Sequence, residues 1–329
     1  MEKHCKYCIN PVGLNVINPR TGEELKFHES GEGVVCDICF DVLNSGNLPS
    51  RKQFNEEFEL FLRENKKILF AYSGGLDSTA VLAKLARECQ KKSIELQLFT
   101  VNTGVKGRIA EKNIENVLNF LNLREDHRYI DVADKIQDDQ KILKITGNPA
   151  TTLNVYRICR EKGILPCGEI CNTMIDGTYA SVMKDLGFTT LVTGGDTPKK
   201  NSKGAYSLFW TKPSGIIIVR GAYAFGLSKS ANSDYIRDHK IPWVYSGCGG
   251  FDTDCLVPGV FFAEGLNFQP NQEMEFVIAK YPIILDYLAE RVRFGVIDYA
   301  EALKMITNVD ISNEQSYKEL VEILEIKSL

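Results

Sequence analysis

Two groups of residues in this sequence have the types and spacing to do chemistry. The first is the string Ser73-Gly74-Gly75-Leu76-Asp77-Ser78. It follows the apolar run 68–72 and leads into a segment, 79–90, with Val81, Leu82 and Leu85 on one helical face. Glycines let a backbone approach an anion closely, and the first N–H groups of a helix, with the positive end of its dipole, face that anion. Ser73 and Ser78 add hydroxyl donors, and Asp77 can help hold Mg²⁺ beside a pyrophosphate. No lysine follows the second glycine at the Walker spacing, so this is a different phosphate loop. The plain alternative is a Gly-rich turn capped by Ser78; the complete string behind a buried strand favours phosphate binding.

The second group is the cysteines, ten in all. Cys5-x-x-Cys8 and Cys36-x-x-Cys39 supply four thiolates for a tetrahedral Zn²⁺, in a segment (residues 1–50) too poor in apolar residues to build its own core. Four ligands leave no open position, so the expected role is structural. His4 and His28 are spare donors, read as surface residues. Cys167 and Cys171, in Pro166-Cys167-Gly168-Glu169-Ile170-Cys171, precede a helix predicted over 172–186, where a thiol can have a depressed pKa. Cys248 and Cys255 offer a further thiol to this central set. The competing reading makes all of these buried or loop thiols, as it does for Cys89 and Cys159.

Strands alternating with helices have to position these residues. The pattern predicts strands at 68–72, 96–102, 127–132 and 190–193, with helices at 51–66, 79–90, 109–121 and 172–186 between them. Such βαβ units make a parallel sheet covered on both faces. Beyond residue 230 the pattern is mainly helical, over 230–239, 274–293, 298–306 and 314–326. The expected organisation is therefore a zinc-ribbon-like segment (1–50), an α/β domain (51–230) and a helical C-terminal region (231–329). Lys106 and Arg108 are the better candidates for phosphate contacts, while Lys199 and Lys200 read as solvated. Trp210, Trp243 and Tyr245 read as packing. A net charge of −4 argues against a broad nucleic-acid surface. The absence of an apolar leader or membrane-length run makes a cytoplasmic protein, with reduced thiols, the expectation.

The string 72–78, Tyr-Ser-Gly-Gly-Leu-Asp-Ser, resembles the PP-loop of the N-type ATP pyrophosphatases, and the likeness extends over about residues 66–230. It implies an adenine nucleotide alpha hydrolase-like fold that cleaves ATP between the α and β phosphates, with AMP passing to a substrate oxygen that a nucleophile then displaces. Asn102 and Thr103 sit where such folds place a nucleotide-contacting loop. Gly194 and Asp196, in Thr193-Gly194-Gly195-Asp196, resemble a later family segment but lack its histidine and second acid. The central CxxxC is similar to the CxxC of tRNA thiolases that hold a 4Fe–4S cluster with three cysteines. The resemblance implies a third ligand or persulfide carrier at Cys248 or Cys255, since three thiolates leave one iron open for sulfide.

The expected activity is ATP-dependent sulfur transfer, C=O to C=S, on a nucleotide, nucleobase or tRNA. The expected cofactors are ATP, Mg²⁺ and Zn²⁺ with a 4Fe–4S cluster at the central thiols, the donor is a cysteine desulfurase or sulfur carrier, and a homodimer is one expected assembly. The alternative is ammonia-dependent amidation. The N-terminal CxxC pairs and Arg293-Phe294-Gly295 with Glu301-Ala302 resemble N-acetyl sugar amidotransferases of surface-glycan pathways. Those enzymes usually carry SGGKDS, and they need a glutaminase partner. A third reading is a non-catalytic zinc-ribbon binding module.

Overall fold

The structure, a computed structural model, describes residues 4–13, 16–18, 22–31, 33–44, 50–201, 203–212, 214–245, 255–257, 282–307 and 315–326. Cys248 and the first part of the helix predicted from 274 lie outside these residues.

The N-terminal segment is a hairpin of β1 (Phe27–Ser30) and β2 (Gly33–Cys36) leading into helix α1 (Asp37–Asn44). These elements are too short for a periodic signal, and the sequence reading passed over them. Helix α2 (Arg51–Glu64) opens with a reciprocal capping box between Ser50 and Gln53. Its Phe54, Phe58, Phe61 and Leu62 are buried at the spacing the sequence showed. Phe54 and Phe58 meet Tyr223 and Phe225 edge-on at 5.1 and 5.0 Å. Each such ring contributes roughly 1.5–3 kcal/mol through the apolar area it removes from water.

The core is a mixed α/β arrangement around a mostly parallel sheet of six strands. In chain order its strands are β3 (Lys67–Ala71), β4 (Glu95–Asn102), β5 (His127–Asp131), β8 (Thr190–Thr193), β11 (Phe209–Thr211) and β12 (Ile217–Arg220), while β6 (Ile136–Gln137) pairs with β7 (Ala150–Thr151) and β9 (Lys199–Lys200) with β10 (Tyr206–Ser207) outside it. In space they run β11-β12-β8-β3-β4-β5, with only β11 antiparallel to its neighbour. In β3 the residues Ile68, Leu69 and Phe70 are all buried, as a strand covered on both faces requires. The chain leaves β3 in one direction for β4 and β5 and returns on its other side through β8 and β12. This makes a switch point at the carboxyl ends of β3 and β8, the place where open α/β sheets bind ligands. The strands β11 and β12 were missed: runs of three and four residues are too short to show alternation.

Two helices begin earlier than the sequence suggested. Helix α3 (Leu76–Lys92) starts three residues ahead of the predicted 79, and α7 (Glu169–Leu186) three ahead of 172; α4 (Arg108–Leu121), α5 (Gln140–Thr146) and α6 (Thr152–Glu161) lie between them, and the short α8 (Gly221–Ala224) follows β12. Glycine precedes each, Gly75 and Gly168, and neither offers a side-chain cap. The start signal is missing from the sequence for that reason, and Asp77, Ser78 and Cys171 belong to first helical turns. After residue 230 the regular elements among the described residues are helices: α9 (Lys229–Asp238), then Pro282–Arg293, Tyr299–Thr307 and Gln315–Ile326. No helix among the described residues is long and apolar enough to cross a membrane.

Candidate active site

The Ser-Gly-Gly string joins the end of β3 to α3, and its glycines are dictated by contact. Gly74 has φ +88°, and a Cβ there would lie 2.7 Å from the Ala110 carbonyl oxygen. A Cβ on Gly194, at the end of the neighbouring strand, would lie 2.7 Å from Ser78 Cα. The first loop can therefore pack against Ala110, and the second against Ser78, only because each position lacks a side chain. The Ser73 and Ser78 hydroxyls lie 2.9 Å apart, and Ser78 donates to the Gly75 carbonyl at 3.0 Å. Lys106 donates to the Ser73 carbonyl and the Trp243 indole N–H to that of Gly74, each at 2.9 Å. With no side-chain cap, the first N–H groups of α3 keep the capacity to bind an anion.

The loop opens into a cavity of about 420 Å³ at the switch point, lined by Ser73, Gly75, Asp77, Ser78, Gly194 and Asp196 together with Arg220, Lys229, Lys212 and Arg291. Distant parts of the chain deliver the cations. Lys229 pairs with one Asp77 oxygen, and Asn232 donates to the other at 2.6 Å. Arg291 Nε donates to Asp196 at 2.5 Å, and its guanidinium lies 3.4 Å from the Tyr287 ring centroid. Burial alone would raise the Asp196 pKa; Arg291, Lys229 and Arg220 overcome it and hold the carboxyl at about 2. Four positive side chains line the cavity beside an uncapped helix start, three of them paired with Asp77, Asp196 and Asp176, and such a set could hold an anion.

The basic residues chosen from sequence divide differently here. Lys106 is buried and spends its ammonium on the loop's backbone. Arg108 is exposed and pairs with Glu319 and Glu322, away from the cavity. Lys199, expected to be solvated, is paired with Glu290 at 2.7 Å. Asn102 and Thr103 end β4 beside the loop but do not line the cavity; Asn102 bonds Asp131 at 3.2 Å and the Gly104 N–H at 3.0 Å. The sequence reading missed Lys212, Lys229, Asn232, Tyr287 and Arg291, which lie far from the loop along the chain.

Cys5, Cys8, Cys36 and Cys39 are all buried, with their Sγ atoms within 4.8 Å of one another. The thiols share protons. Hydrogen bonds from neighbours, chiefly Cys36, pull Cys5 far below the usual thiol range, and the bond with Cys39 pulls Cys36 to about 6; burial pushes Cys8 up, and Cys36 pushes Cys39 up. A soft cation would displace the remaining protons. N–H donors already reach the sulfurs: the Cys36 N–H donates to Cys5 Sγ at 3.3 Å, Asn10 to Cys36 Sγ at 3.6 Å, and Arg293 Nε to Cys39 Sγ at 3.2 Å. Four soft donors with N–H support fit a closed metal site. His28 instead stacks on Phe40.

The central thiols are arranged otherwise. Cys171 lines the same cavity as the loop 73–78 and contacts the buried Tyr156 hydroxyl at 3.4 Å. Burial, and then charge on Cys171 and Cys255, push the Tyr156 phenol up, so both thiols lie near it. Cys255 forms an antiparallel bridge with Lys106 beside the loop. Cys167 departs from expectation: burial pushes its thiol up, not down. Among the described residues Cys167, Cys171 and Cys255 do not form a group within 4.8 Å, unlike the N-terminal four. Cys89 and Cys159 are packing thiols as expected, pushed up by burial to about 12 and about 11.

No protein-family model matches the sequence, and neither does any curated protein. Among solved structures the chain is similar to the U34-tRNA thiolase NcsA from Methanococcus maripaludis with its 4Fe–4S cluster. The identity is 14% over 95% of this chain and 100% of that chain, with a TM-score of 0.39. Roles in this chain rest on its own side chains.

Proposed function

We propose that this chain is an ATP-dependent adenylating sulfurtransferase. The observation that carries the reading is a single cavity holding both an uncapped helix start ringed by cations and the thiol of Cys171. ATP would set its β and γ phosphates on the loop 73–78, with Lys229 and Arg291 drawing charge off the pyrophosphate as it leaves. Asp77 is the residue that would hold Mg²⁺, whose charge would assist the same departure. The acceptor's carbonyl oxygen attacks the α phosphorus and becomes an adenylate. The terminal sulfur of a Cys171 persulfide then attacks the activated carbon and AMP leaves. Cleavage of the remaining S–S bond by a second thiol, with Cys255 the candidate, frees C=S as a disulfide forms, and an external dithiol reduces that disulfide. No step here runs through an iron–sulfur cluster, because the described central thiols make no compact ligand set. A nucleotide, a nucleobase or a tRNA base each presents the required C=O, with a desulfurase or sulfur carrier loading Cys171.

One observation favours ammonia-dependent amidation of an N-acetyl sugar as a second reading. The two segments behind that resemblance meet in space, where Arg293 donates to Cys39. The deciding experiment incubates the protein with ATP and candidate acceptors and measures AMP, with either a persulfide donor or ammonium. AMP and thiolated product that depend on Cys171 support sulfur transfer. Ammonium-driven product that survives Cys171→Ser moves the function to amidation. Absence of AMP under every condition sinks both.

A further inference from the structure

The four-cysteine centre and the phosphate cavity share one structural member, the helix Pro282–Arg293. At its last residue Arg293 Nε reaches Cys39 Sγ at 3.2 Å. Two residues earlier Arg291 is bonded to Asp196 at 2.5 Å, and Glu290 receives Lys199 at 2.7 Å and Thr197 at 3.2 Å. One turn before, Tyr287 lines the cavity beneath the Arg291 guanidinium. The chain just after the helix is pinned too. Arg51 donates to the carbonyls of Phe294 at 3.3 Å and Gly295 at 2.9 Å, and the Lys229 N–H bonds the Val296 carbonyl at 3.1 Å. Lys229 in turn pairs with Asp77 of the loop.

We propose that the four-cysteine centre positions the phosphate cavity, with Arg293 as the positioning residue that transmits metal occupancy to Arg291, Tyr287 and Lys229. The physical reason is the acceptor Arg293 uses. A metal-bound thiolate is a fixed anion, so the guanidinium gains a charge-assisted partner with one location. Without the metal, that sulfur is no longer a fixed anion, and the helix end keeps only the backbone contacts made by Arg51 and Lys229. The cavity's cations are the groups most exposed to such a shift, because Arg291 lies within two residues of the anchor. A ribbon that served only to stabilise residues 4–44 would not need a half-buried arginine bridging it to the helix whose Tyr287 and Arg291 line the cavity.

The inference rests on reading the cavity as the ATP site, and the test separates the two. ATP affinity and zinc per chain are measured on the native protein, on native protein stripped of metal by a chelator, and on Arg293→Gln in both metal states. If native, metal-loaded protein does not bind ATP, the reading of the cavity falls first. Given binding, stripping the metal is expected to weaken ATP affinity by about tenfold or more. Arg293→Gln with full zinc should lose a comparable factor, and stripping that variant should add little, since the two changes act through one link. Unchanged ATP affinity in stripped native protein overturns the proposal, as does native affinity in the zinc-loaded variant. Should Arg293→Gln fail to fold, stripping the native protein decides alone.

Discussion

The N-terminal and central cysteines of this chain differ in what holds them and in what they face. Cys5, Cys8, Cys36 and Cys39 come from two CxxC knuckles brought together by a hairpin and a short helix, and every sulfur is buried. Their neighbours include N–H donors, and of the four only Cys39 borders a cavity, one lined also by Lys6, Ser228 and Arg293. Cys167, Cys171 and Cys255 are spread over the start of α7 and a strand bridge beside the phosphate loop, and only Cys171 looks into the cavity. A gathered, closed set is suited to hold a metal; a dispersed set with one thiol at a cavity wall is not. Cysteine count and spacing alone do not make that distinction, because it depends on where each sulfur points.

The comparison can be broken most forcefully at the closed site. Cys36→Ser should drop zinc from about one per chain to near zero, since structural zinc binding is worth about 10–16 kcal/mol in isolated finger peptides. It should also render residues 4–44 sensitive to protease. Full zinc retention in the variant would end the assignment. Next in size is the loop. Asp77→Ala should lower AMP formation by about 10²–10³-fold while leaving zinc content intact, showing that the two centres differ in role even though one helix joins them.

The central set is sharpened by two variants side by side. Cys171→Ser should cut thiolated product by about 10²-fold with AMP formation largely kept, whereas Cys167→Ser should cost little. Equal loss in both would mean that the thiols act together, as ligands of one group, and would undo the contrast drawn above. The smallest effect is a control that neither set of cysteines should produce. Burial, with a contribution from Arg124, lowers the His127 pKa from 6.5 to about 4. Between those values the unfolded chain binds more protons than the folded one, so stability should fall as pH drops from 6.5 to about 4. Measured by urea unfolding in Cys36→Ser, where metal release plays no part, the part of that slope above about pH 5, where carboxylates stay ionised in both states, should be lost on adding His127→Gln. A slope that persists would place the titration elsewhere.

Much of this arrangement was legible in the residues. Apolar runs between helical faces marked the parallel strands, because a strand covered on both sides must be apolar throughout. The loop and both CxxC pairs declared themselves by local spacing. What stayed hidden was tertiary: Lys229 and Arg291 reach the loop from far along the chain, and a lone lysine or arginine in a helix carries no mark of its partner. The segment around Arg293 did stand out by resemblance, but its contact with Cys39 is a matter of packing. Helix starts at Gly75 and Gly168 were misread because glycine gives a cap no polar side chain.

Both tryptophans of the chain attend the same site: Trp243 donates its indole N–H to the Gly74 carbonyl, and Trp210 lines the cavity. The molecule thus has no indole reporting on anything else. Its near-ultraviolet emission is, in effect, a built-in gauge of the phosphate loop, and arrival or departure of a nucleotide can be followed without any label.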